Sequence, residues 1–540
     1  MRTRLTASIA CACACLGVGH AQFGRGAAEW STSGGDAHRS SSVASDAKIS
    51  KESLSKPGFA LFWKMKLPND ARQLNALTAP TLMDRHIGIK GFRSFGFVTG
   101  SGNNVYAVDT DLARIDWQKN FGKAPAETSL TCPGGITTGT ARSLSAAFPP
   151  APQAGAGGGR GRGGPAKSGV GEPGQGGVTL IEIERAAAAA AGRGAAAPGR
   201  GGGGAGRGPR MAVVVNSLSG DGMFHANFVS NGDEPTPAIQ FIPANAHAVG
   251  LIIVDNVAYV ATVGNCGGAP NGLWALDIAS KEVKSWKPQS GEVAGTAGAA
   301  FGGDGTVYVA TTAGDLVALE PKTLSVKDVH RAGKEFTSSP VVFQHKEKTM
   351  IAATTKDGRL HVVDAASLSG AGVNSAPYSS ADDFVAGALS TWHDESGTRW
   401  ILAPSAGAVS PDAKLAGNGA VTNGAVVAWK LSDSGALEAG WASRDLVSPV
   451  TPLVINGVVF AVSSGEFRTK DAKMTAAQRA QKSVPAVLYA LDAATGKELW
   501  NSGKTMTSFV HGGGISGASG QVYLGTHDGT LWSFGFPIEH

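Results

Sequence analysis

Cysteine is scarce in this sequence: five in 540 residues, three of them (Cys11, Cys13, Cys15) within the first fifteen. That leaves Cys132 and Cys266 for the rest of the chain. Two thiols cannot frame a disulfide-scaffolded domain, so a packed core must hold the fold. Charge is sparse too, with Asp, Glu, Lys and Arg making up 16% of residues. The formal net charge of +5 does not belong to the bulk of the chain. Residues 151–210 carry seven Arg and one Lys against three Glu, a net +5 alone, and Arg2 and Arg4 add two more, which leaves −2 elsewhere. Outside that segment there is no basic face to argue for nucleic acid, so no nucleic-acid partner is expected, although an Arg-Gly-rich segment of this kind can bind RNA or anionic surfaces. No apolar run beyond residue 21 approaches the roughly 20 residues a membrane-spanning helix needs. A Gly-x-Ser-x-Gly elbow and a phosphate loop are both missing, which removes the usual hydrolase and nucleotide-binding signatures.

What is present begins with an export pattern. Arg2 and Arg4 precede an apolar run from Leu5 to Val18 and a small-x-small site at Gly19-His20-Ala21, the layout of a cleaved signal. The expected location is periplasmic or secreted, with a lipoprotein anchor on Cys11, Cys13 or Cys15 as the alternative. In an oxidising compartment two remaining thiols tend to pair. Cys132 in TCPGG and Cys266 in NCGGAPNG share a loop setting, so a Cys132–Cys266 disulfide is expected, against two buried, inert thiols. Residues 151–210, rich in Gly, Ala, Pro and Arg, lack the apolar surface to offset ordering entropy and read as a disordered insertion.

The remainder repeats. A strand, a small-residue turn and a second strand ending in an acid recur at 97–117, 213–233, 258–286, 307–329 and 351–370. They recur again at 401–407 with 424–441, at 458–465 with 487–500, and at 522–536. Asp277, Glu320 and Asp364 lie 43 and 44 residues apart, the period of a WD40-like propeller blade. The fold class is therefore all-β: an eight-bladed β-propeller of four-stranded antiparallel blades. In VLYALDAATGKELW (487–500) the alternation suits a strand packed between sheets, Asp492 and Gly496 suit the turn, and Trp500 suits a wedge between blades. The last unit stops at Phe536, short of an outer strand, whereas FALFWKMKL at 59–67 is a lone strand with Trp63 in the unit-ending position. The expectation is that this N-terminal strand completes the last blade and closes the ring. The organisation is then a signal (1–21), an extension (22–58) and one propeller domain (59–540) interrupted by 151–210. Thr475-Ala-Ala-Gln478 predicts a capping box opening a short helix beside a polar, rim-placed stretch at 462–471.

LYALDAATGKELW, LWALDIASKEVKSW and VYLGTHDGTLWSF resemble the repeats of quinoprotein-type propellers. These comprise the pyrroloquinoline quinone (PQQ) dehydrogenases and non-enzymatic relatives such as the propeller lipoprotein of outer-membrane protein assembly. WSTSGGDAHRSSS at 30–42 is similar to the dehydrogenases' amino-terminal segment. For an enzyme the resemblance implies PQQ in the central funnel over Ca²⁺ or a lanthanide, held by acidic and Asn side chains, with an Asp as base. VGNCGGAP at 263–270 is similar to the segment supplying the metal-binding Asn, which would be Asn265. The sequence lacks that segment's Pro-Trp continuation, the adjacent cysteine pair found beside the quinone, and a C-x-x-C-H haem site.

A funnel site is built from residues just before each innermost strand, where the blades converge. The candidates are Cys132, Asn265, Thr296, Ser339, Ser448 and His511, with His511 set off by the glycines of VHGGG. Asp382-Asp383 and His393-Asp394-Glu395 read as solvated loop charges, and Asp109, Asp277, Asp364 and Asp492 as turn-holding residues. Two functions stay open. One is an exported, monomeric, non-enzymatic propeller that binds envelope proteins or a small molecule in its funnel. The other is a PQQ-dependent alcohol dehydrogenase-like enzyme with a divergent site.

Overall fold

A computed structural model describes residues 29–88, 91–148, 213–379, 385–512 and 514–537; the signal and the 151–210 insertion lie outside them. The described residues form eight sheets, in the order of the eight repeats, each with a body of strands consecutive in sequence and some joined by a strand from elsewhere in the chain. The chain is a β-propeller. Blade one runs from Thr81–Gly88 through Gly91–Gly100 and Asn104–Asp109 to Arg114–Asn120, antiparallel throughout. Blades four and five repeat this four-stranded plan.

Three blades gain a short fifth strand and one shows only three. In blade two (Val214–Leu218, Met223–Phe228, Ile239–Gln240) the innermost position is held by a single bridge between Ala141 and Asn216. The chain then moves on, and Ser143–Leu144 pairs parallel to the innermost strand of blade three. Blade eight takes Ala60–Lys66 as its fourth strand, antiparallel to Thr530–Gly535 with Lys64 opposite Trp532.

The local chemistry of the repeat explains its regularity. Asp492 Oδ1 accepts the backbone N–H groups of Ala494 and Thr495 at 2.8 and 3.0 Å, and Asp277 does the same for Ala279 and Ser280. Gly496, at φ +72°, completes the turn, and a Cβ there would strike the Trp441 ring at 2.3 Å. At three junctions a unit-ending tryptophan then ties one blade to the next. Trp117 Nε1 donates to Val229 O, Trp441 Nε1 to Ala493 O, and Trp63 Nε1 to Thr110 O, each at 2.9 Å. Trp63, on the strand paired into blade eight, therefore bonds to the turn of blade one.

Residues 30–46 make a strap without periodic pattern. It meets every blade in turn at or beside the innermost strand, six of them through its backbone and blades three and eight through side chains. Leu82 N donates to Trp30 O, Arg142 N to Ser31 O, Phe301 N to Ala37 O, Val342 N to His38 O, Thr391 N to Ser40 O and Val454 N to Ser41 O. Thr32 Oγ1 donates to Leu251 O, and Gly520 N to Asp46 Oδ2. Since these partners lie on the innermost strands or beside them, the strap crosses the axial channel beneath the loops that precede those strands.

Candidate functional site

Above the strap lies a cavity of about 1000 Å³. Its wall is built from the residues preceding the innermost strands, among them Thr78, Thr137, His247, Thr296, Gly387, Ser448 and His511, with Trp30 and Arg39 of the strap below. Of the sequence-derived candidates, Thr296, Ser448 and His511 are on this wall. Ser339 is buried behind it, where its hydroxyl accepts from Ala297 N at 2.9 Å and donates to Ala294 O. Asn265 is exposed, does not line the cavity, and sits between the second and third strands of blade three rather than before the innermost one. The corresponding axial residue of that blade is His247, which opens the strand His247–Val254.

Cys132 and Cys266 are disulfide-bonded across 134 residues of sequence, with Cα atoms 5.4 Å apart. The bridge pins the loop carrying Leu130 into the wall, where Thr131 O meets His247 Nδ1 at 2.6 Å. Burial, opposed by that contact, brings His247 below its ordinary pKa of 6.5. Replacing both cysteines by Ser should cost about 2–5 kcal/mol, because the crosslink restricts the unfolded chain. Denaturant unfolding of the double variant checks this, and an unchanged midpoint would refute it.

The upper wall comes from the 464–486 insertion of blade seven. Thr475 and Gln478 form the reciprocal capping box at the start of the helix Ala476–Lys482. Glu466, 4% exposed, is the one acid among the described lining residues. It lies 3.1 Å from His511 Nδ1 and 3.6 Å from Arg468 Nε. Burial would raise its carboxyl, but His511 and then Arg468 outweigh it and hold Glu466 below its ordinary value. Arg468, Lys470, Arg479 and Lys482 complete this side. At the floor, Arg39 is 1% exposed and donates to Ala299 O, Thr32 Oγ1, Ser33 O and Gly250 O at 2.5–2.9 Å. Burial draws its guanidinium down to about 9, against the pull of Asp36.

The residues present do not fit a metal-held quinone. The only described acid on the wall is already engaged by His511 and Arg468, and no group of three or more His, Cys, Asp or Glu among the described residues is placed to hold an ion. Asp382 and Asp383 lie outside the described residues. Asp394 holds a hairpin turn, accepting from Ser396 N, Thr398 N and Trp400 Nε1, away from the cavity.

One arrangement has the connectivity of a hydrolytic triad. Ser219 Oγ meets His225 Nε2 at 2.9 Å, and His225 Nδ1 meets Glu234 Oε1 at 2.6 Å. The same inner hairpin recurs as Thr355, Asp357 and His361, and as Thr526, Asp528 and Trp532. In blade two Ser219 likewise donates to Asp221. A unit repeated in three blades, with its hydroxyls buried, fastens hairpins rather than attacking substrates.

No family model and no curated relative matches the sequence. Among solved structures, the quinohemoprotein alcohol dehydrogenase of Comamonas testosteroni is similar at TM-score 0.54 and 13% identity, over 95% of this chain and 81% of that one. The computationally designed Ika8 protein reaches 0.50 at 11% identity, over 89% and 100%. BamB from Moraxella catarrhalis gives 0.47 at 13%, over 89% and 99%. The first two likenesses show the fold alone: the chain has the eight-bladed ring found in quinoproteins, and a designed protein resembles it nearly as well.

Proposed function

We propose that this chain is an exported propeller of the cell envelope that binds a ligand or partner at its axial cavity and is not a metal-dependent quinone dehydrogenase. Export rests on Arg2, Arg4 and the apolar run to Val18. The observation that carries the binding reading is the engagement of Glu466 by His511 and Arg468, which leaves the described wall without a carboxylate set for a Ca²⁺ or lanthanide ion. A concave, strap-floored cavity of this size is a default ligand site. Among the described residues no helix is long and apolar enough to cross a membrane. The test is titration of the purified protein with PQQ and Ca²⁺ or a lanthanide, following absorbance and dye-linked oxidation of simple alcohols. The expected result is no metal-dependent turnover. Stoichiometric, metal-dependent binding with turnover would establish the dehydrogenase instead.

A further inference from the structure

The charge of the cavity is as uneven as that of the sequence. Five cations line it, Arg39, Arg468, Lys470, Arg479 and Lys482, against the single described acid Glu466. Counting only Arg, Lys, Asp and Glu, the described wall carries a formal +4, within a chain that is −2 outside its insertion and signal. The cations occupy two levels. Arg39 lies at the floor, buried, held by oxygens of neutral groups and without an ion pair among the described residues. The other four belong to the 464–486 insertion. There Arg479 donates to Thr469 O at 3.0 Å while its buried Nε has no hydrogen-bond partner, and Lys482 Nζ stands 5.0 Å from the Phe467 ring centre.

A buried guanidinium without a direct ion pair, with Asp36 acting on it only from a distance, is costly to keep, and it interacts strongly with any anion brought close. A concave site lined by one sign of charge also concentrates the field of that sign. From these observations we propose that the cavity takes a small organic polyanion, bearing carboxylate or phosphate groups, held between Arg39 at the floor and the cations of the insertion at the mouth. Enclosure at the floor by the strap argues for a small molecule rather than a threaded chain. The inference rests on the binding reading above and names the ligand class of the same site.

Calorimetric titration of the full-length mature protein tests it, with citrate and inorganic pyrophosphate as probes and maltose as the uncharged control. Binding of either anion is expected, weakening severalfold or more between about 0.05 M and about 0.5 M salt. Arg468 and Lys482 are exposed, so the R468E/K482E double variant should fold, which circular dichroism verifies. It should lose about tenfold or more in affinity. Binding of citrate alone assigns a carboxylate ligand, pyrophosphate alone a phosphate ligand, and both the shared oxyanion chemistry. The proposal is overturned if neither anion binds, if maltose binds as well as they do, or if the double variant binds unchanged. Those results leave the binding reading standing, whereas metal-dependent quinone turnover would remove that reading itself.

Discussion

A chain lacking residues 59–67 is expected to lose its cooperative melting transition and to aggregate. The deletion removes the strand Ala60–Lys66 and with it the buried side chains of Phe59, Trp63 and Leu67. Phe59 packs edge-on against Trp500 at 4.9 Å and Phe536 at 5.3 Å, and Trp63 bonds to Thr110 O of blade one. Losing a single buried aromatic typically costs about 3–5 kcal/mol, so two aromatics and a leucine approach the roughly 5–15 kcal/mol that stabilises a whole domain. The edge of Thr530–Gly535 would also be left unpaired, a template for association with other chains. Thermal unfolding by circular dichroism and size-exclusion chromatography check this. A monomer melting at the parent temperature would show that the strand decorates the ring without holding it.

The propeller was legible because each blade carries its instructions locally. Asp492, Gly496 and Trp500 lie within nine residues of one another, and the turn bonds they make are short-range. The strap was legible only as a resemblance, since residues 30–46 have no period and find their partners up to some 470 residues away. The funnel was half legible. The residues before the innermost strands include Thr296, Ser448 and His511 on the wall, whereas Asn265, a candidate both by that rule and by resemblance to a metal-binding segment, belongs to the loop between the second and third strands of its blade. His247 occupies the expected place at the start of its innermost strand, with that strand and the next ahead of the Cys266 loop in the repeat. Glu466 and Arg468 belong to an insertion, which no repeat predicts, and the proximity of Glu466 to His511 exists only once blades seven and eight lie side by side.

Arg39→Met is expected to destabilise the protein by about 3–5 kcal/mol, the range for breaking a buried polar network. Two effects compete. Removing the guanidinium relieves the burial of a charge without an ion-pair partner, and at some sites a well-packed apolar residue in place of a buried charge is neutral or better. Here the loss exceeds that gain. The carbonyls of Ala299, Gly250 and Ser33 and the hydroxyl of Thr32 would each lose a charge-assisted bond, at about 1–3 kcal/mol for each acceptor left unsatisfied. Those acceptors sit on the strap and on the axial residues of blades three and four, so the strap should loosen with them. Arg39→Lys retains the charge but not the planar fork that reaches four oxygens at once, and it should lie between parent and Met variant in urea unfolding. If instead the Met variant equals or exceeds the parent, the guanidinium is kept at a cost to stability. Its place in the fold must then be explained by what it binds in the cavity above.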